Sequence, residues 1–408
     1  MRQGIPFFVG VDGGGANSEY NRVKNYPVVI IGGGASGLML SSLLPSSSIL
    51  IEKMSQCGLK LLITGNGQAN ITHDEEPRDF ITHYYEKKNF VQHALYAFPP
   101  EGIREYFRER GVETTVRSDG RVFPSSFKSR DILSALLKTS GEIITGTPVL
   151  KVRKEGSLFI TETGEESYSS QVLVIATGGR TYQKTGSTGD GYAFASAFGH
   201  RIITPRPALA PIRINRDTTP VEGVSVPSVT LTTGKKSVTD SIVFTRNGFS
   251  GPAAENISHW IDGKTELTTS FLESFDAQKL KEENGKGSVI NTLSKLTTLP
   301  HSLLEFLFPF LRDKNNASVT KEEMRKIEDT LLSWRVTADT ARTEEKAMVT
   351  KGGIDTSEIN SRTFESKLVP GLYFTGEIID VDGECGGYNL SFAFASAFLA
   401  AEDIRKRI

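Results

Sequence analysis

The chain has little of what metal or disulfide chemistry needs. Its 408 residues include two cysteines, Cys57 and Cys385, far apart in sequence. Two such residues give no disulfide framework and no zinc cluster, and they fit a reducing cytoplasm. The six histidines, His73, His83, His93, His200, His259 and His301, show neither H-x-x-x-H nor H-E-x-x-H spacing, so no metal site is expected. Charge of one sign is missing too: 47 basic residues face 48 acidic ones, and no acidic or basic tail appears. A near-neutral balance gives no electrostatic argument for a nucleic-acid partner. Clusters such as "KKNF" and "IRKRI" read as solvated faces. No apolar run is long enough for a bilayer span, so no membrane partner is expected. A hydrolase nucleophile elbow is absent, because "GFSGP" at 248–252 carries proline where the last glycine belongs.

One nucleotide-binding pattern is present and complete. "VVIIGGGASGLMLSSLL" (28–44) runs a β-branched strand into glycines and then into an apolar helix. Gly32, Gly34 and Gly37 stand at G-x-G-x-x-G spacing. The first permits the tight turn, the second admits a diphosphate to the backbone, and the third lets helix and strand pack closely. A helix opening near Ala35 aims free N–H groups and its positive end at the phosphates. "SILIEK" (48–53) predicts a second strand ending at Glu52, where an acid accepts the adenosine ribose hydroxyls. This reads as dinucleotide binding and leaves FAD and NAD open at this point. No second G-x-G-x-x-G follows. That favours FAD as the resident cofactor and NAD(P)H as a transient electron donor.

The rest of the chain divides by pattern. Residues 1–25 read as a leader or extension, although "FFVGVDGGGAN" (7–17) looks like the phosphate-loop opening of sugar-kinase-type ATPases. Residues 26–204 read as the first part of the dinucleotide-binding domain. Within it, 86–110 is predicted helical, a helix is predicted to be capped near Ser129, and 142–164 is predicted to form strands of a small sheet. "QVLVIATGG" (171–179) predicts a buried strand whose Thr177, Gly178 end lets backbone pass close to a ligand. Thr/Val alternation and prolines over 205–275 suggest an antiparallel β domain, 276–330 a small helical insert, and 331–345 the close of the β domain. Residues 346–408 return to the first style, with a strand at 372–375 and a long helix from about Asn389.

These stretches together resemble the YhiN/BaiN-like flavoproteins, of the two-dinucleotide-fold type seen in glutathione reductase. The resemblance covers residues 27–408 and rests on "GGGASGLM", "KLLITGNGQANIT", "GRVFPSS", "ATGGRTYQKTGSTGDGYAFASAFGH", "FTRNGFSGP", "MVTKGGI" and "GLYFTGEIIDVDGECGGYNL", in that order. It implies an α/β fold: a Rossmann-like FAD-binding domain with an inserted antiparallel β-barrel domain and a small helical insert. It also implies site roles. Gly32, Gly34, Ser36 and Gly37 would take the diphosphate, beside Ala35, and Glu52 with Lys53 the ribose. Lys60 and the loop carrying Gly65, Asn66, Gly67 and Asn70 would lie along the flavin. Thr177 and Gly178 match a second FAD-contact strand, and Val149 the place where a backbone amide meets adenine. Gly376 and Glu377 match a motif whose acid bonds the ribityl hydroxyls. Gly386, Gly387, Tyr388 and Asn389 would set a helix N-terminus at the isoalloxazine. The chain departs from the family pattern at Gln68 and Ala69 (usually arginine and cysteine), at Arg246 (usually histidine) and at Cys385 (usually threonine).

The expected function is a cytoplasmic FAD-dependent reductase. It would use NAD(P)H to reduce a carbonyl-conjugated C=C bond, either a uridine of large-subunit ribosomal RNA or a steroid-like enone. Tyr182, Arg246, Ser250 and Tyr388 are the candidates to polarise the carbonyl or supply a proton. Two other classes stand beside this one: a module that holds FAD without turnover, and a thiol–disulfide flavoenzyme built on the two cysteines. The sequence leaves the oligomeric state open.

Overall fold

The computed structural model describes residues 23–340 and 346–408; the "FFVGVDGGGAN" stretch lies outside them. At the centre is a parallel sheet. Strand Val23–Ile31 lies between Ser48–Ile51 and Ser167–Ile175. Glu142–Ile144 extends the parallel edge beyond Ser48–Ile51, and Leu372–Phe374 joins the far half of Ser167–Ile175. Val28, Val29, Ile30, Ile49 and Leu50 are fully buried, as expected for β-branched runs in a sheet covered on both faces. The first strand begins at Val23, so residues 23–25 of the stretch read as a leader pair with 167–169 in this sheet.

Three local expectations change. The strands of 142–164 do not form a small sheet of their own. Glu142–Ile144 closes one edge of the main sheet, and the hairpin Val149–Glu155/Leu158–Thr163 extends the other. The N-terminal half of Ser167–Ile175 has backbone groups that need partners, and the hairpin supplies them. The 86–110 stretch is two helices, Lys88–Ala97 and Pro100–Arg108, because Phe98 precedes Pro99 and leaves the helical region. Ser129 does not cap its helix Ser129–Thr139; its hydroxyl donates to the Leu62 carbonyl at 2.8 Å.

The chain crosses to a second unit through Ile202–Ala208 and returns through Val349–Ile354, which pair antiparallel. Between them, six antiparallel strands close a barrel in the order Ile212–Ile214, Gly248–Ser250, Lys236–Thr245, Ser225–Thr233, Thr265–Ser270, Trp334–Asp339. Four helices, Lys279–Glu282, Val289–Thr297, His301–Leu307 and Lys321–Ser333, are inserted between the last two strands. This insert buries Leu303, Leu304, Phe308 and Leu311 in one core with Leu231, Ile242 and Phe249 of the barrel. The apolar "LLEFLFPFL" run is therefore core. No helix among the described residues is long and apolar enough to cross a membrane.

Candidate active site

The loops that leave the parallel strands open onto one cleft of about 580 Å³. Its first wall is backbone. Gly32 has φ +107°, and a Cβ there would stand 2.6 Å from the Ala176 carbonyl oxygen. A Cβ on Gly37 would meet the Gly32 carbonyl oxygen at 2.0 Å, so only glycine lets helix Ala35–Leu43 sit this close to its strand. Gly37 is packed behind the wall, whereas Gly34 faces the cleft, and a Cβ on it would meet no atom within 4 Å. The first intrahelical bond runs from Leu38 N–H to the Gly34 carbonyl, which leaves the N–H groups of Ala35, Ser36 and Gly37 without helical partners. Glu52 is held rigidly: Gly33 N–H donates to Oε2 at 2.6 Å and Met54 N–H to Oε1 at 2.7 Å. Lys53 pairs with Asp190. Burial pushes the Asp190 carboxyl up, but hydrogen bonds from Lys53 and Thr188 outweigh it and hold the group below its ordinary range. Thr177, Gly178 and Val149 line the same wall.

Lys60 and Glu377 meet in the cleft. Lys60 Nζ donates to both carboxylate oxygens at 2.8 and 2.9 Å and to Thr181 Oγ1 at 2.9 Å. Glu377 Oε1 also accepts from Thr350 N–H at 2.8 Å, so this pair ties the cleft to the strand returning from the barrel. The adjoining loop is in the left-handed region at Gly65, Asn66, Gly67 and Ala69. For Asn66 and Ala69 this is strain of the kind that gathers at functional sites. Gly65, Asn66, Gln68 and Asn70 line the cleft, while Gly67 and the fully buried Ala69 do not.

The second wall is made of side chains from distant segments. Arg117 and Arg121, Glu255 from the barrel side, and Glu384 and Cys385 all face the cleft. Arg121 Nη2 lies 3.8 Å from Cys385 Sγ, and Cys385 N–H donates to Asn256 Oδ1 at 2.7 Å. Burial raises the Glu255 carboxyl above its usual range, against the Cys385 hydrogen bond and the Arg121 charge. Burial and then the Glu255 charge push the Cys385 thiol up to about 12. Behind this wall, Glu384 pairs with His83 at 2.8 Å. Helix Tyr388–Ile404 begins beside it after Gly387, whose φ is +99°. Gly386, Gly387 and Asn389 line the cleft. Asn389 closes the preceding loop, accepting from Gly383 N–H at 2.9 Å and donating to the Gly383 carbonyl at 2.8 Å.

Several residues singled out in the sequence stand elsewhere. Tyr388 is buried behind the cleft, its ring stacked on His83 and its hydroxyl 3.2 Å from Glu75 Oε1. Gly376 packs against Ser36, where a Cβ would lie 2.5 Å from the hydroxyl oxygen. Arg246 points to solvent with its side chain 71% exposed and pairs with Glu222, because its hairpin turns it outward. Ser250 sits in the barrel strand Gly248–Ser250, and Tyr182 in a left-handed turn before residues 183–185; neither lines the cleft. Sequence reasoning assigned no role to Arg121, Glu255 or Glu384. An acid between the buried Ala253, Ala254 and Ile257 was the available signal for Glu255.

The residues present fit FAD. Free helix N–H groups suit a diphosphate, and Gly34 leaves the cradle open to it. Thr177 and Asn70 add polar residues to the lining of the same cleft. The cysteines stand apart: Cys57 packs behind Gly33, Cys385 in the opposite wall, and both are free thiols.

The chain is 29% identical to the ribosomal RNA dihydrouridine synthase of Escherichia coli K12, over 94% of this chain and 98% of that protein. It is 27% identical to the 3-dehydro-bile acid delta(4,6)-reductase of Clostridium scindens, over 93% and 98% respectively. Among solved structures, the 3-ketosteroid delta1-dehydrogenase of Sterolibacterium denitrificans superposes with a TM-score of 0.53 at 13% identity, covering 95% of this chain and 100% of that one; this likeness is one of fold. The profile of the HI0933-like protein Rossmann domain matches residues 26–403, and the chain belongs to that family of FAD-dependent oxidoreductases.

Proposed function

We propose that the protein reduces a carbon–carbon double bond conjugated to a carbonyl, with NAD(P)H as the transient electron donor. The observation that carries this reading is the shared cleft: the dinucleotide turn and the polar wall of Arg121, Glu255 and Cys385 line one cavity. Two full-length relatives support it, because uridine and a delta(4,6) bile acid both present an alkene conjugated to a carbonyl. The acceptor is thus a uridine of ribosomal RNA or a steroid-like enone.

Each wall has its task. The N–H groups of Ala35 and Ser36 hold the diphosphate and Glu52 the ribose, while Lys60, Glu377, Asn70 and Thr177 line the path between the two ends. When bound, FAD supplies hydride chemistry; the protein supplies orientation, electrostatics and exclusion of water. The N-terminus of helix Tyr388–Ile404 brings unpaired N–H groups and about half a positive charge to the second wall. Negative charge developing there is stabilised by about 0.3–2 kcal/mol. Arg121 is placed to hold the acceptor carbonyl oxygen.

The test is anaerobic. The FAD-loaded protein is chemically reduced and mixed separately with a steroid 4-en-3-one, a uridine-containing ribosomal RNA fragment and a small disulfide. Return of the oxidised flavin spectrum with one of the first two is expected. Reoxidation by the disulfide alone overturns the reading and moves the protein to the thiol class.

A further inference from the structure

We infer that Glu255 is the acid that gives the acceptor its proton. The inference rests on the reduction proposed above and assigns the half of it that a hydride leaves unfinished.

Glu255 is contributed by the short helix Pro252–Ile257, whose other inward residues, Ala253, Ala254 and Ile257, are buried packing groups. Its neighbour Asn256 fixes the helix to the opposite loop by accepting from Cys385 N–H. Glu255 is therefore held across the cleft from the flavin-binding domain by a defined joint. The other glutamates of the cleft are already committed. Glu52 accepts a backbone N–H on each oxygen, Glu377 is paired with Lys60, and Glu384 with His83. Among the described residues, Glu255 is the cleft glutamate whose carboxylate has neither a salt bridge nor a backbone N–H donor. The groups facing it come from three elements: Arg121 on strand Arg121–Pro124, Cys385 on loop 383–387, and Asp240 on strand Lys236–Thr245. Burial and the Asp240 charge raise the carboxyl, and the Cys385 hydrogen bond and Arg121 charge only partly offset them. The group thus keeps its proton to a higher pH than an ordinary glutamate, as a general acid needs.

The step balances. Bound FAD, once reduced, would supply a hydride equivalent to the carbon remote from the carbonyl, which leaves the electron pair of the alkene on the carbonyl side. The O–H bond of Glu255 breaks, a C–H bond forms at the carbon beside the carbonyl, and a carboxylate remains. Arg121 and the Cys385 thiol meet that new charge, and solvent returns the proton.

Glu255→Gln keeps the shape and removes the acid, and Glu255→Asp restores an acid on a shorter arm. The infrared difference between wild type and E255Q, each loaded with FAD, reads the protonated carboxyl directly. A protonated-carboxyl band that fades at a higher pH than an ordinary glutamate's is expected, with unchanged flavin absorbance and NAD(P)H reduction within about twofold. Anaerobic reoxidation of E255Q by the enone or RNA probe should slow by about 10²-fold or more, with partial recovery in E255D. Wild-type reoxidation rates in E255Q, or a Glu255 band that fades no later than an ordinary glutamate's, overturn the inference and leave the reduction reading standing. A wild-type flavin that neither probe reoxidises refutes the reduction reading, and the donor role with it.

Discussion

The two walls of the cleft are built on different terms. The glycine wall is a matter of backbone approach: Gly32 and Gly37 fit because side-chain atoms are missing where main chains nearly touch. The opposite wall is a matter of side chains, with Arg121, Glu255 and Cys385 drawn from segments more than a hundred residues apart. A backbone requirement is local, so it leaves glycines at fixed spacing within a few residues. A side-chain constellation exists only after folding, so no spacing announces it. The two walls are in this sense written at different ranges in one molecule.

The largest expected effect tests the backbone wall against itself. Gly37→Ala drives a Cβ into the Gly32 carbonyl, 2.0 Å away, and backbone on both sides leaves nothing cheap to move. It should destabilise the protein by about 1–3 kcal/mol, read as a lower urea midpoint. Gly34→Thr puts its side chain into the cleft, and threonine is itself a good N-cap. Stability should then stay within about 0.5 kcal/mol while FAD is no longer retained through gel filtration. Equal destabilisation by the two variants would break the distinction between packing glycine and ligand-facing glycine.

What could be read from the sequence follows the same division. The strand–turn–helix–strand unit and Glu52 were legible because strand period, helix period and glycine spacing all lie within 25 residues. The barrel and helical insert were legible as a change of pattern. Glu142–Ile144 was assigned to a separate sheet because three apolar-flanked residues do not name their partner, which is Ser48–Ile51. Ser129 had a choice between its own helix and the Leu62 carbonyl, and tertiary structure made it. Arg246 stood at a motif position, yet its hairpin turns it to Glu222 and solvent. Glu255 was hidden in "GPAAENI", which reads as the small-residue start of a helix.

A middle-sized effect concerns the support behind the side-chain wall. Burial pulls the His83 pKa down, but the hydrogen bond to Glu384 and the charges of Glu384 and Glu75 outweigh it and leave it above 6.5. A raised folded-state pKa stabilises fully below the unfolded value and is lost as pH rises through the folded value. His83 should thus add stability below about pH 6.5 that fades above it. The amount is on the order of 1 kcal/mol, since the groups are partly solvated. His83→Gln should flatten that fall in urea midpoint between pH 6 and 8. An unchanged slope would show that Glu384 is held by the backbone as well, and would shrink the difference between the walls.

The smallest expected effect falls on the cysteines, one in each wall. Burial, then the charge of Glu52, pushes Cys57 up to about 12; burial, then the charge of Glu255, does the same to Cys385. At pH 7 such thiols are ionised to on the order of one part in 10⁵, and the thiolate is the nucleophile. Iodoacetamide at pH 7 should therefore label neither residue in the folded protein within the time that labels both in urea. Cys57→Ala removes a packing group behind Gly33 and should leave flavin reduction by NAD(P)H unchanged. Cys385→Ser keeps a hydroxyl donor for Glu255 and should do the same. Rapid labelling of Cys385, with loss of flavin reoxidation in step with it, would make that wall a thiol site. The contrast between the walls would then be one of redox chemistry, and the proton now assigned to Glu255 would need another source.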